Sequence, residues 1–411
     1  MNLKTNTNAV SRRSFVAGTG ASAVTLSLLS SKTALGAESN GKIRLGMIGC
    51  GGRGTWITKL FVKNGGYEIT ACADFFQDRV ERFGTQFDVP TQNRFTGLAG
   101  YKRLLDKNVV DAIAIESPPF FHPMQAAAGV DAGLHVYVAK PIAVDVPGCL
   151  SIEESGKKAR RSKQAFLIDF QTRANPYYIE ALNRVQNGAV GHFAFGESTY
   201  HAGIPWTRQF PYWEKAKTDP AARLRAWGLD KVLSGDIIVE QNIHTLDVCS
   251  WIMDAPPERA WGVCARKVRP VGEVSDTFSI TFEYTDNIGI AFSSRQFEGY
   301  KSPGGINNRM FGADGVLETS YGGQVLIRGK HAYEGGKTGN IFTSGAENNI
   351  ETFRQSIADE DYSNPTVEPS VRSNLVCVLG RTAAYRQDEI TWNQLLDEKE
   401  ELDAGLKGLD E

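Results

Sequence analysis

Between Gly235 and Met253 the chain reads GDIIVEQNIHTLDVCSWIM, an apolar stretch interrupted by Asp236, Glu240, His244 and Asp247. The first three recur every fourth residue and Asp247 follows three further on, so on one helix they form a single polar stripe. A stripe of charge on a buried helix must face something polar, because an unpaired buried charge costs several kcal/mol. Three chemistries fit: a polar network that braces the helix, a metal held by Glu240 and His244, or an acid/base pair looking into a pocket. No second histidine lies nearby, which weakens the metal reading. A further candidate is Lys140, directly after the apolar run His135–Ala139 and directly before Pro141. Proline fixes the local backbone and holds the lysine at the carboxyl end of a buried strand, where parallel sheets bind ligands.

A third constellation opens the folded part of the chain. Ile43–Ile48 reads as a buried strand, Gly49-Cys50-Gly51-Gly52-Arg53-Gly54 follows, and Thr55 to Lys63 reads as a helix. This is G-x-G-x-x-G in the strand–turn–helix context of a dinucleotide site. Gly49 permits the turn, Gly51 and Gly52 let the backbone approach a pyrophosphate, Gly54 lets helix and strand pack, and the helix N-terminus attracts the phosphates. A second strand, Glu68–Ala73, ends in Asp74, placed to accept hydrogen bonds from the adenosine ribose. A carboxylate there repels a 2′-phosphate, so NAD is expected rather than NADP, with Arg53 and Arg79 as offsetting cations.

The elements that position these residues alternate. Val109–Ile115 is a strand ending at Glu116, Ser117-Pro118-Pro119 and His122 follow, and a helix through Gln125–Ala128 leads to the strand before Lys140. The rhythm predicts a doubly wound parallel Rossmann sheet over residues 41–163. After a charged helix over Ser151–Lys163, the strand beginning at Ala165 starts a second domain, 164–411, leading to Gln171 and Arg173. Phe193–Tyr200, Arg259–Arg266, Phe278–Tyr284, Ile288–Gln296 and Met310–Leu326 alternate apolar and polar residues, as a sheet covered on one face does. Gly329–Ala346 reads as a long surface loop. The fold class is therefore α/β, in two domains.

The 411 residues carry 45 Lys+Arg against 47 Asp+Glu, so no basic field suits a nucleic acid. With 41% hydrophobic and 22% charged residues the composition is globular. Six cysteines show no CxxC and no metal-ligand spacing, and are expected as buried free thiols. At the N-terminus Ser11-Arg12-Arg13-Ser14-Phe15 resembles a twin-arginine export signal, with a short, weakly apolar stretch to Leu29 and a cleavage site after Ala37. Residues 1–37 are thus expected to be a signal peptide and the mature protein periplasmic, without stable membrane anchoring; beyond the N-terminus no apolar run approaches a membrane span. That route exports folded proteins, which suits a cofactor bound before export and held afterwards.

Gly49–Gly54, Asp74, Pro118 with His122, and Gly133-Leu134-His135-Val136 through Lys140-Pro141 together resemble the Gfo/Idh/MocA oxidoreductase family. Gly191, the helix around His244 and the closing GRTAAY and ITW segments extend the resemblance over most of the chain. It implies a second domain with a large, mostly antiparallel open sheet, which carries the substrate pocket and through which the chain forms a homo-oligomer. It also implies a lysine of a Glu-Lys-Pro signature beside the nicotinamide; here that signature is Ala139-Lys140-Pro141. The family's acid-x-x-x-His pair matches Glu240 and His244, with glutamate in place of the usual aspartate. The resemblance thus favours the acid/base reading, with no metal.

The expected chemistry is hydride removal from a C–OH carbon of a sugar, glycoside or polyol. His244 accepts the hydroxyl proton, Lys140 hydrogen-bonds the substrate oxygen, and Glu240 orients His244. Ser117, Pro118 and His122 join the cofactor site; Arg173, Tyr200, Trp206, Trp227 and Gln241 are candidates for the substrate wall. The alternative is a glycoside hydrolase that oxidises, eliminates, hydrates and reduces with the same cofactor. A tyrosine near the catalytic histidine in sequence would favour it, and Glu240–His244 contains none.

Overall fold

In the first sheet the strand residues are buried on both faces, the pattern of a parallel sheet layered between helices. The computed structural model describes residues 41–406 and 409. The first sheet comprises β1 (Ile43–Ile48), β2 (Tyr67–Asp74), β3 (Arg94–Thr96), β4 (Ala112–Ile115), β5 (His135–Ala139) and β6 (Phe166–Asp169). They run parallel in the order β3-β2-β1-β4-β5-β6. The order reverses between β1 and β4, and the crevice at that switch point is where such sheets bind ligands.

The second sheet has nine strands: β7 (Phe193–Ala202), β8 (Arg259–Ala265), β9 (Thr277–Tyr284), β10 (Ile288–Gln296), β11 (Gly305–Gly312), β12 (Gly315–Ser320), β13 (Gln324–Gly329), β14 (Tyr333–Lys337) and β15 (Ile390–Thr391). Their order is β14-β13-β12-β11-β7-β10-β9-β8-β15, antiparallel except for the β7–β10 pair. One face packs on helices Ile243–Met253 and Val367–Arg386; the other leaves Phe195, Trp261 and Val263 exposed.

Three boundaries differ from the expectation. β6 pairs with β5, so the Rossmann sheet extends to Asp169, beyond residue 163. Its hydrophobic run reads equally as the start of a new sheet; only the pairing decides. The Gly329–Ala346 stretch is not a loop: β14 and the start of helix Ile341–Ala358 occupy it. The helix expected from Ser151 begins at Val146, where the Asp145 side chain accepts from the Gly148 N–H as an N-cap.

The two sequence regions also share cores. Helix Ile341–Ala358 lays Ile350 and Phe353 against Phe61, Tyr67 and Tyr137 of the Rossmann layer, and helix Val367–Arg386 packs behind its other face. Of the six cysteines, all free, five are buried. No helix among the described residues is long and apolar enough to cross a membrane. The expected signal segment, 1–37, lies outside the described residues.

Candidate active site

The glycine loop has the geometry its motif requires. Gly49 has φ +98°, and a Cβ there would meet the Glu116 carbonyl carbon at 2.6 Å. A Cβ on Gly54 would lie 1.8 Å from the Gly49 oxygen, so side chains are sterically forbidden at both positions. Asp74 accepts from the Cys50 N–H at 2.8 Å and from the Phe76 N–H at 2.9 Å, which fixes its carboxylate beside the loop. Burial raises its pKa, opposed by Arg79 and by those two backbone donors.

These residues line a cleft of about 360 Å³ over the switch point, with Ser117, Pro118 and Gln125 on the β4 side. Space is open above Gly52, where a Cβ would meet nothing within 4 Å. A cleft lined by free backbone at a helix start, with a carboxylate at its far rim, fits a dinucleotide.

Arg53 lines the cleft, but its guanidinium is taken by two carboxylates. Its Nε lies 2.8 Å from Glu116 and its Nη2 2.5 Å from Asp169, two carboxylates with fully buried side chains. Asp169 is the neighbour of Ala139 in register, and Glu116 follows Ile115, the neighbour of Val138. Carboxylates on β4 and β6 thus flank the alanine that stands where the family signature has glutamate, and Arg53 joins them. Burial opposes the charge on Arg53, but the two carboxylates outweigh it and raise its pKa. Burial pushes Glu116 up to about 7 despite Arg53.

Lys140, at the end of β5, donates to the Glu240 main-chain oxygen at 2.6 Å and lies 3.7 Å from the Glu240 carboxylate. Burial lowers its pKa; Glu240 opposes, and Arg53 acts in the same direction as burial. Glu240 accepts from the Gln241 amide at 2.5 Å, and Gln241 accepts from the Tyr200 hydroxyl at 2.8 Å. Tyr200 and Gln241 therefore brace the carboxylate. His244 is buried with its Nδ1 unpartnered among the described residues. Burial, then Lys140 and Arg53, hold its pKa well below the ordinary histidine value, so the ring is neutral and able to accept a proton.

The polar stripe does not run along one helix. The helix breaks at Gln241 and Asn242, separating a short turn, Ile237–Glu240, from helix Ile243–Met253. Asp236 caps the turn and accepts from Ser275 N–H and the Tyr385 hydroxyl. Asp247 points away and pairs with Arg173 at 2.8 Å. Arg173 is thus the partner of a buried carboxylate. His122 is likewise committed elsewhere: its ring bridges the carbonyls of Ser117 and Pro141, and burial takes its pKa down to about 4. It ties together the loops after β4 and β5 without lining the cleft. Trp206 and Trp227 line the cleft that contains Asp74, not the surroundings of His244.

Sequence reasoning missed Tyr321. Its ring lies 5.0 Å from that of His244, and its buried hydroxyl has no partner among the described residues. It reaches the site from the turn between β12 and β13, far from His244 in sequence, and no local pattern marks it.

Residues 43–166 match the family described as "Oxidoreductase family, NAD-binding Rossmann fold", and residues 178–318 match the "GFO/IDH/MocA C-terminal domain". The chain belongs to the Gfo/Idh/MocA family. Among curated proteins it is similar to a "Glycosyl hydrolase family 109 protein" of Shewanella pealeana, 29% identical over 40% of this chain and 36% of the relative. It is also similar to an "Alpha-N-acetylgalactosaminidase" of Shewanella oneidensis, 27% identical over 48% of this chain and 47% of the relative. The matches thus span less than half the length of these relatives. Among solved structures, the fold is that of aldose-aldose oxidoreductase from Caulobacter crescentus, with TM-score 0.65 and 18% identity over 85% of this chain and 99% of that one. Myo-inositol 2-dehydrogenase from Lactobacillus plantarum gives TM-score 0.66 and 18% identity over 85% and 99%.

Proposed function

We propose that this protein is an NAD-dependent oxidoreductase acting on a CH–OH group of a sugar, glycoside or polyol. The observation that carries the reading is the contact of Lys140, at the carboxyl edge of a sheet with a dinucleotide cleft, with the main chain and the carboxylate of Glu240, four residues before the buried His244. The nicotinamide supplies the hydride acceptor when bound. His244, held neutral, takes the proton of the substrate hydroxyl, and Lys140 donates to the substrate oxygen as negative charge develops there. Glu240, braced by Gln241 and Tyr200, balances the positive charge of Lys140; the Nδ1 of His244 is unpartnered among the described residues, so Glu240 does not orient that ring by a bond as the sequence suggests. Asp74 favours NAD over NADP, since Arg53 is engaged by Glu116 and Asp169 and leaves only Arg79 near the ribose site.

A second reading is an NAD-using glycoside hydrolase, in which oxidation of a ring hydroxyl permits elimination of the leaving group and the hydride is then returned. Two observations favour it: the names of the curated relatives, and the approach of Tyr321 to His244. Incubating the purified protein with aryl glycosides and with free sugars separates the two. Ketone formation with reduced cofactor supports the dehydrogenase; aglycone release without net reduction supports the hydrolase.

The twin-arginine-like Arg12-Arg13 segment supports export to the periplasm with the cofactor already bound. The exposed Phe195, Trp261 and Val263 on the open face of the second sheet support a homo-oligomer formed through that face.

A further inference from the structure

Between β7 and the turn at Ile237 the chain leaves the second sheet and crosses to the Rossmann rim as a series of short helical turns, residues 203–234. Its residues Trp206, Gln209, Leu224 and Trp227 line the dinucleotide cleft together with Asp74, Phe76, Arg79 and Leu98 of the Rossmann rim.

The segment is fixed at several points. Arg225 pairs with Asp78 at 2.6 Å, and its guanidinium lies 3.8 Å from the centre of the Phe76 ring. Leu224 and Leu233 are buried with Phe76, and Ala404 of the chain's last part joins the same cluster. Trp206 adopts φ +57°, unusual for a tryptophan, and its ring packs where a Cβ on Gly228 would stand, 2.5 Å away. Gln209 accepts from the Gly228 N–H at 2.9 Å, so the two tryptophans, 5.9 Å apart, are held in place. Two indoles held in place beside Phe75, Phe76 and Leu98 in the same cleft suit a flat aromatic ligand.

The polarity of the cleft says which part of a dinucleotide they meet. The pyrophosphate belongs at Gly51–Gly54 and the adenosine ribose at Asp74, so the tryptophans, which line the cleft with Asp74 and Phe76 on a segment packed against Phe76, lie on the adenosine side. We propose that residues 203–234 are a clamp on the cofactor: Trp206 and Trp227 pack on its adenosine half, and the Arg225–Asp78 pair latches the clamp to the Rossmann rim. This rests on the dinucleotide reading above. It gives cofactor retention a structural cause, since release requires the latch to open.

The test is the dissociation rate of NADH from the full chain, followed by stopped-flow displacement of its fluorescence. Trp227→Ala is expected to raise that rate about tenfold, in keeping with the loss of one base–aromatic stack. Asp78→Ala, at an exposed position, and Arg225→Ala, which also gives up the guanidinium packed on Phe76, are each expected to raise it about threefold, and together by less than the product of the two effects, as a shared contact requires. The sugar's KM is read alongside. Unchanged dissociation in all three single variants overturns the clamp. A raised sugar KM in Trp227→Ala with unchanged dissociation returns the tryptophans to the substrate wall and also overturns it. If Trp227→Ala fails to fold, the Arg225 and Asp78 variants decide. A parent protein that binds no NAD(H) in equilibrium dialysis overturns the dinucleotide reading and the clamp with it, an outcome distinct from binding with unaltered release.

Discussion

The ammonium of Lys140 and the main-chain oxygen of Glu240, 100 positions apart in sequence, meet at 2.6 Å. One belongs to the sheet that would hold the cofactor and the other to the domain that would hold the substrate. The bond ties the end of β5 to the turn that precedes His244. Lys140→Ala and His244→Ala are each expected to lower turnover by roughly 10²-fold or more. Steady-state kinetics with NAD binding measured in parallel checks this. A large loss of binding instead of turnover would move either residue out of the chemistry.

Asp74→Ala is expected to weaken NAD binding by about tenfold, the effect of losing a hydrogen bond to a charged group, and to narrow the preference over NADP. Titration calorimetry with both dinucleotides reads the two effects separately. Equal affinities in parent and variant would exclude Asp74 from the ribose site.

Glu116 makes stability depend on pH. Its pKa rises from 4.5 to about 7 in the fold, so the folded protein binds a proton that the unfolded chain has released. This contribution favours folding below about 4.5 and is lost as pH climbs to about 7. Glu116→Gln should remove it: across that window the variant's melting temperature declines less with rising pH than the parent's. Parallel melting curves would refute the assignment.

Arg173→Ala is expected to cost about 3 kcal/mol of stability, because it strands the fully buried carboxylate of Asp247, while the sugar's KM stays near the parent value. Denaturant unfolding and substrate kinetics measure the two. A raised KM with unchanged stability would restore Arg173 to the substrate wall.

Legibility in the sequence followed the range of the interaction. The glycine loop, Asp74 and Lys140 are set by local strand–turn–helix chemistry, and they stand at the strand ends where the sequence reading puts them. The polar stripe is visible too, but its division is not. Asp247 finds Arg173, 74 positions away, and Asp236 finds Tyr385, 149 away, so neither partner is marked by helical spacing. Arg53 shows the same effect: its motif suggests phosphate, whereas its partner Asp169 lies 116 positions downstream. Tyr321 enters the site from a turn between two strands and has no periodic signal at all.

The sharing of cores between the two sequence regions has a consequence for how the protein is made. Ile350 and Phe353 complete the apolar layer over Phe61, Tyr67 and Tyr137, yet they are synthesised long after β1 to β6. A nascent chain ending near residue 170 thus presents a sheet face that helices Gly52–Asn64 and Gln77–Gln86 cover only in part, and the contacts of Ile350 and Phe353 wait on residues still inside the ribosome. Folding of the first domain is therefore tied to completion of the chain rather than proceeding in step with synthesis. Stalled or truncated products carry an open apolar surface that chaperones must hold.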